Sequence, residues 1–218
     1  MKVRWLGHAS FLITSEKGTR IITDPYESGG FGGSVKYGPI KEEADIVVVS
    51  HDHADHNYLG DIKGSPQVVR GAGTHRVGEI ELKGVPAHHD TSLGRERGNI
   101  TMTVFTVDGI RVCHVGDLGH QPTDQQLADL GLVDVLLVPV GGFYTIDATE
   151  ATHLVERMAP RVVIPMHFRT DKCLFPISDV EDFLKGKTTV RRPGASEIEI
   201  KKETLPAQIE IVVLEHAL

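Results

Sequence analysis

Apolar residues fall in short alternating or continuous runs along most of the chain, so the pattern predicts more strands than helices. Residues 3–6, 11–14 and 20–23 are β-branched or aromatic runs separated by glycine-containing turns. Residues 44–50, ADIVVVS, form a continuous apolar run ending in a polar residue, the signature of a strand buried on both faces. Further strands are predicted at 67–70, 76–82, 84–87, 101–107 and 111–115, with Asp108-Gly109 as a hairpin turn between the last two. The second half mixes periods. Residues 123–130 read as a helix stopped by Gly131, and Asp147-Ala-Thr-Glu150 is a capping box for a helix that ends near Met158, before Pro160. A short helix at 178–184 has Ser178 or Asp179 as its cap, and strands at 133–140, 161–166, 197–201 and 208–214 complete the set. Strands early and helices late, in two strand groups, imply an α+β arrangement of packed sheets with helices outside.

The glycine-rich segment 28–38, SGGFGGSVKYG, lacks a following Gly-Lys-Ser/Thr and is no phosphate loop. It reads as a mobile surface loop, either a flap over a site or a linker. Composition narrows the class. With 218 residues, 40% hydrophobic and 24% charged, the chain suits one globular domain spanning 1–218 and not a disordered chain. No run approaches the roughly 18 apolar residues of a membrane helix, and the N-terminus has no apolar export core. A net charge of −7 argues against a general nucleic-acid surface. Cys113 and Cys173 form no disulfide framework, which points to a reducing cytoplasm and to small core side chains.

The twelve histidines concentrate the chemistry. Ser50-His51-Asp52-His53-Ala54-Asp55-His56-Asn57 follows a buried strand and packs three imidazoles and two carboxylates into six residues. Neutral imidazole and carboxylate suit zinc and related divalent ions, whereas a merely solvated loop has no need of this density. His51 and His53, two apart, face one side of an extended stretch. Asp55 and His56 come where the chain can turn into a short helix before Tyr58, bringing them to a second point near the first.

The HxHxDH pattern, here HDHADH, resembles the metal-binding motif of the metallo-β-lactamase superfamily. WLGHASFLI with TDP at Thr23 to Pro25 is similar to the branch that contains L-ascorbate-6-phosphate lactonase. PAHHD ending at Asp90, HVGD ending at Asp117 and IPMHF ending at Phe168 follow in the expected order. The resemblance implies a four-layer αββα sandwich with two metals at one edge. It implies that His51, His53 and His89 hold the first ion, Asp55, His56 and His167 the second, and that Asp117 bridges them. His88 and His89 are adjacent, and His89 is preferred for its following Asp90. Neighbours on a strand point opposite ways, so only one of the two reaches the metal. His114, on the opposite face from Asp117, is expected to be a hydrogen-bonded core histidine, and His75, His120, His153 and His216 are given no site role. His8 orients a ligand, contacts a metal, binds substrate or is a structural turn residue.

The implied chemistry is hydrolysis by a hydroxide shared between two divalent ions, with zinc expected and manganese, nickel or iron as alternatives. Asp55 and Asp117 are the catalytic carboxylates, Asp55 orienting the nucleophile and assisting proton transfer. Arg95 or Arg97 could fork onto a substrate carboxylate or phosphate, and Tyr144 could line the pocket. The expected partner is a small ester, lactone or phosphorylated metabolite, together with self-association of the chain. Phosphodiester cleavage, and metal binding without turnover, are the competing functions.

Overall fold

The computed structural model describes residues 1–218. The chain begins with β1 (Lys2–Gly7), β2 (Ser10–Thr14), β3 (Arg20–Thr23), a single turn α1 (Gly30–Gly33), β4 (Ile46–Val49) and β5 (Gln67–Arg70). It continues through β6 (Gly73–Val77), β7 (Ile80–His88), β8 (Asn99–Val107) and β9 (Ile110–His114). Then come α2 (Asp124–Leu130), β10 (Val135–Pro139), α3 (Ala148–Met158), β11 (Val162–Met166), α4 (Glu181–Leu184), β12 (Val190–Arg191), β13 (Glu197–Glu199) and β14 (Glu210–Val212). A six-stranded sheet has the order β13-β1-β2-β3-β4-β5, and an eight-stranded sheet the order β12-β14-β11-β10-β9-β8-β7-β6.

Period-two alternation sorts the first sheet. Trp5, Phe11, Ile21 and Val48 enter the core shared with the second sheet, while Leu12, Ile22 and Val47 pack outward. That outer face is covered by Tyr26, Tyr37, Ile40 and Cys173, carried mainly by irregular segments. The helices lie against the second sheet. In α3, Ala151, Leu154 and Val155 are buried at i, i+3 and i+4, the stripe of a helix with one packed face. Burying a side chain such as Leu154 stabilises by roughly 1.5–3 kcal/mol. The expected Asp147/Glu150 capping box is present, and Thr123 with Gln126 forms a second one at α2.

Three expectations need correction. No helix follows His56; residues 52–58 are turns and irregular backbone, held by His56 N donating to His53 O and Tyr58 N to Pro25 O. The strands expected at 76–82 and 84–87 are instead β6 and one long β7, broken at the turn after Val77. The last short helix begins at Glu181, where Val180 supplies no cap; Asp179 Oδ1 accepts from Glu181 N at 3.0 Å. The two-residue β12 was too short to leave a pattern. The hairpin at Asp108-Gly109 has positive φ at both residues, as a type I′ turn requires.

Strand direction places the site. Through their pairing, β1, β3 and β4 run the same way, as do β7, β9 and β11. Their C-terminal ends meet at one edge, where His167 N donates to His8 O (3.1 Å) and Thr101 N to Ser50 O (2.9 Å) across the two sheets.

Candidate metal centre

Six strand ends deliver the polar side chains: His8 after β1, Asp24 after β3, His51 after β4, His89 after β7, Asp117 after β9 and His167 after β11. Strand ends are rigid mounts for such groups. Two glycines permit close approach. A Cβ on Gly119 would lie 2.2 Å from the carbonyl carbon of His89, and one on Gly141 2.3 Å from the carbonyl oxygen of His167. His8, Asp24 and His167 themselves adopt left-handed backbone, with φ of 53°, 36° and 48°.

The side chains form two groups. His51, His53 and His89 converge, as do His8, Asp55, His56 and His167, with potential ligand atoms within 4.8 Å of one another in each group. Asp117 lies between them. Its Oδ2 is 3.1 Å from His56 Nε2, 3.3 Å from His89 Nε2 and 3.4 Å from His167 Nε2. His8 Nε2–H donates to Asp55 Oδ2 at 3.1 Å.

Asp24 fixes two of the rings. Ser50 Oγ–H donates to Asp24 Oδ2 (2.6 Å), so Ser50 Oγ accepts from His51 Nδ1–H (2.9 Å). His56 Nδ1–H donates to the same Asp24 oxygen at 2.9 Å. Both rings therefore turn Nε2 inward. A second organiser is Asp90, next to His89. Its carboxylate accepts from the backbone N–H groups of Ser92, Gly94, Glu96 and Arg97 at 2.8–3.0 Å. Burial raises its pKa, but these four donors outweigh it and bring the group down to about 2.

The charge states favour a cation. Burial, then the neighbouring His56 charge, lowers His51 to about 3; burial and His167 lower His8 to about 4; burial and His89 also lower His53. These rings are neutral at physiological pH. Burial opposes ionisation of Asp117, but His167 and His56 hold it well below the carboxylate range; His56 and His8 do the same for Asp55. His56 is raised well above its ordinary value because Asp117 and Asp55 outweigh its burial. Three buried carboxylates, Asp24, Asp55 and Asp117, thus crowd around the His56 ring. Uncompensated buried charge is costly. His51 Nε2 and His53 Nδ1 stand 3.0 Å apart, and His56 Nε2 and Asp117 Oδ1 are buried without a hydrogen-bond partner. Nitrogen and oxygen donors left facing one another in this way fit bound divalent ions.

A family description, the β-lactamase superfamily domain, matches residues 2–167. The chain belongs to the metallo-β-lactamase superfamily. Among its superfamily relatives, a UPF0173 metal-dependent hydrolase of Archaeoglobus fulgidus is 32% identical, with 90% of this chain and 98% of that protein covered. Another from Pyrococcus furiosus is 34% identical, with the same two coverages. A Thermotoga maritima crystal structure, assigned to the zinc-dependent hydrolases of the superfamily, superposes with a TM-score of 0.81 at 36% identity and covers 98% of both chains. This superfamily member is a metal-dependent hydrolase with a His/Asp cluster suited to metal binding.

The superfamily fold brings together every ligand candidate named from the sequence. His89 faces Asp117, while His88 turns away to Asn99, Nδ1 to Oδ1 at 2.9 Å. His114 bonds to Ala9 O through Nε2 and lies in the core. A cavity of about 400 Å³ opens over the cluster, with Arg97, Tyr144, Phe175 and Phe31 among its walls. Arg95 is the exception: it is exposed and lies outside the cavity, because the turn at Leu93-Gly94 points it to solvent. Sequence reasoning assigned no role to Asp24, although TDP was noted, nor to Asp90 and Phe175. An aspartate at the end of a buried strand was the available signal for Asp24.

Proposed function

We propose that the protein hydrolyses an ester, lactone or phosphoester bond of a small molecule, with two divalent ions, zinc foremost, as cofactors. The observation that carries this reading is the position of Asp117 Oδ2, within 3.4 Å of Nε2 atoms from both ligand groups. His51, His53 and His89 would hold one ion, Asp55, His56 and His167 the other, and Asp117 would join them. Bound ions supply Lewis acidity toward a carbonyl or phosphoryl oxygen and bring the pKa of water toward neutrality.

The chain's own groups do the rest. Asp55 accepts a hydrogen bond from the attacking water, and His8 holds Asp55 in place through Nε2–H. Water adds at the acyl or phosphoryl centre, the bond to the leaving oxygen breaks, and the released proton ends on that oxygen. The aromatic walls limit water access to the reacting bond. A net charge of −7 supports a small-molecule substrate over nucleic acid, and two free buried cysteines support a cytoplasmic setting.

The test is metal content by plasma mass spectrometry on untagged protein purified without chelator. Two equivalents are expected, falling in His53→Ala, and Asp117→Ala abolishes hydrolysis of lactone and phosphodiester probes. No bound metal after zinc, manganese or iron is added back would refute the reading.

A further inference from the structure

One cation at the cavity has no partner. Every arginine except Arg95 and Arg97 places its guanidinium on a carboxylate or a carbonyl. Arg95 is exposed and solvated, so its freedom means little. Arg97 is half-buried, lines the cavity beside His53, His89 and Asp117, and makes no side-chain hydrogen bond or ion pair. The neighbouring carboxylate, Glu96, is engaged by Ser92 Oγ at 2.5 Å and leaves the arginine free. The Arg97 guanidinium carbon sits 5.8 Å from the centre of the Tyr144 ring, so the ring supports it from one side.

The backbone beneath Arg97 is fixed. Asp90 ties the amides of residues 92, 94, 96 and 97, Gly98 N donates to Gly94 O at 3.1 Å, and His89 N donates to Gly98 O at 3.0 Å. The loop that presents the arginine therefore closes onto the residue that presents a metal ligand. Such a fork is aimed before any ligand arrives, which reduces the ordering cost of binding. From Tyr144 the cavity wall continues as aromatic surface: Tyr144 packs edge-on to Phe175 at 5.7 Å, and Phe175 to Phe31 at 5.6 Å.

Building on the hydrolase reading, we propose that Arg97 is the specificity-determining residue of this cavity: it binds a carboxylate or phosphate carried by the substrate, whose apolar body rests on Tyr144 and Phe175. The scissile bond then lies toward Asp117 and the substrate's carboxylate or phosphate toward Arg97. Asp90 is a positioning residue that acts through the arginine. A cavity of about 400 Å³ accommodates a small amphipathic anion of this kind.

The experiment has a binding arm and a turnover arm, both on metal-loaded protein. Calorimetry measures glutarate and inorganic phosphate binding to wild type, Arg97→Gln, Arg97→Lys and Arg95→Gln, with metal content checked in each. The expected result is a loss of about 10- to 100-fold in affinity in Arg97→Gln at unchanged metal content, a smaller loss in Arg97→Lys, and none in Arg95→Gln. The stronger of the two probes identifies carboxylate or phosphate as the recognised group. In the turnover arm, p-nitrophenyl acetate is compared with mono-p-nitrophenyl glutarate. The acidic ester is expected to have the higher kcat/KM, Arg97→Gln is expected to remove that preference through KM, and Arg95→Gln is expected to leave it intact. Equal anion binding by wild type and Arg97→Gln, or no binding of either anion at millimolar concentration, overturns the proposal. Arg97-dependent binding with neither ester cleaved keeps the anion site and counts against hydrolysis instead.

Discussion

Replacing Asp24 with asparagine tests how the ligand rings are held. The carboxylate is fully buried; Oδ1 accepts Ser50 N at 2.7 Å, and Oδ2 accepts both Ser50 Oγ–H at 2.6 Å and His56 Nδ1–H at 2.9 Å. An amide has one acceptor and one donor end. Whichever way it sits, its NH₂ meets a group that was donating, either the Ser50 amide or the Ser50–His56 pair. His56 escapes by taking the other tautomer, with Nδ1 accepting and Nε2–H pointing inward, where a metal cannot use it. Loss of one such partner costs about 10- to 100-fold in metal affinity, or about 1.4–2.7 kcal/mol. Ser50→Ala breaks only the branch to His51 and is expected near the lower end, about 10-fold. The assay is competition for zinc against a chelating dye, with circular dichroism and Tm to establish that each variant is folded. A folded Asp24→Asn protein that binds zinc within twofold of wild type would falsify the argument, because the ring tautomers would then not depend on Asp24.

Two further perturbations probe the scaffold. Gly119→Ala places a Cβ against the His89 backbone at 2.2 Å, which no side-chain rotation can relieve; a displaced ligand is expected to cut kcat about 100-fold in a protein of normal helix and strand content, and wild-type turnover would count against it. Asp90 is held below its ordinary value, so its contribution to stability is complete above about pH 4 and disappears as pH falls toward 2. Urea unfolding across that range is expected to give a wild-type advantage over Asp90→Asn that is constant at neutral pH and closes in acid; an advantage that persists undiminished at pH 2 means another group carries it.

The sequence was most informative where chemistry and spacing coincide. His51, His53, Asp55 and His56 lie within one short stretch after an apolar run, so their convergence needed no knowledge of the distant fold. The short apolar runs of β1 to β4 were equally legible because that sheet is buried on both faces, one against the second sheet and the other under irregular segments. Asp24 escaped notice because its partners, Ser50 and His56, are 26 and 32 residues away and meet it only through the parallel pairing of β3 with β4. The helix expected after His56 fails for a related reason: in this segment backbone direction follows the inward demands of the ring and carboxylate side chains rather than a helical period. Choosing between Arg95 and Arg97 required the loop itself. Left-handed backbone at Leu93, Gly94 and Gly98 erases any periodicity from which a facing direction could be read.

The left-handed backbone at His8 and His167 has a consequence for how such a protein changes over time. An ordinary side chain in that conformation costs about 1–2 kcal/mol, and two histidines hold it at the site. Glycine at either position would relieve the cost while removing an imidazole. Random substitution therefore finds better-folded, inactive descendants close at hand, against a total stability of only about 5–15 kcal/mol. Only selection for turnover keeps histidine in these two positions. A descendant freed of that selection is expected to lose its site first and its fold last.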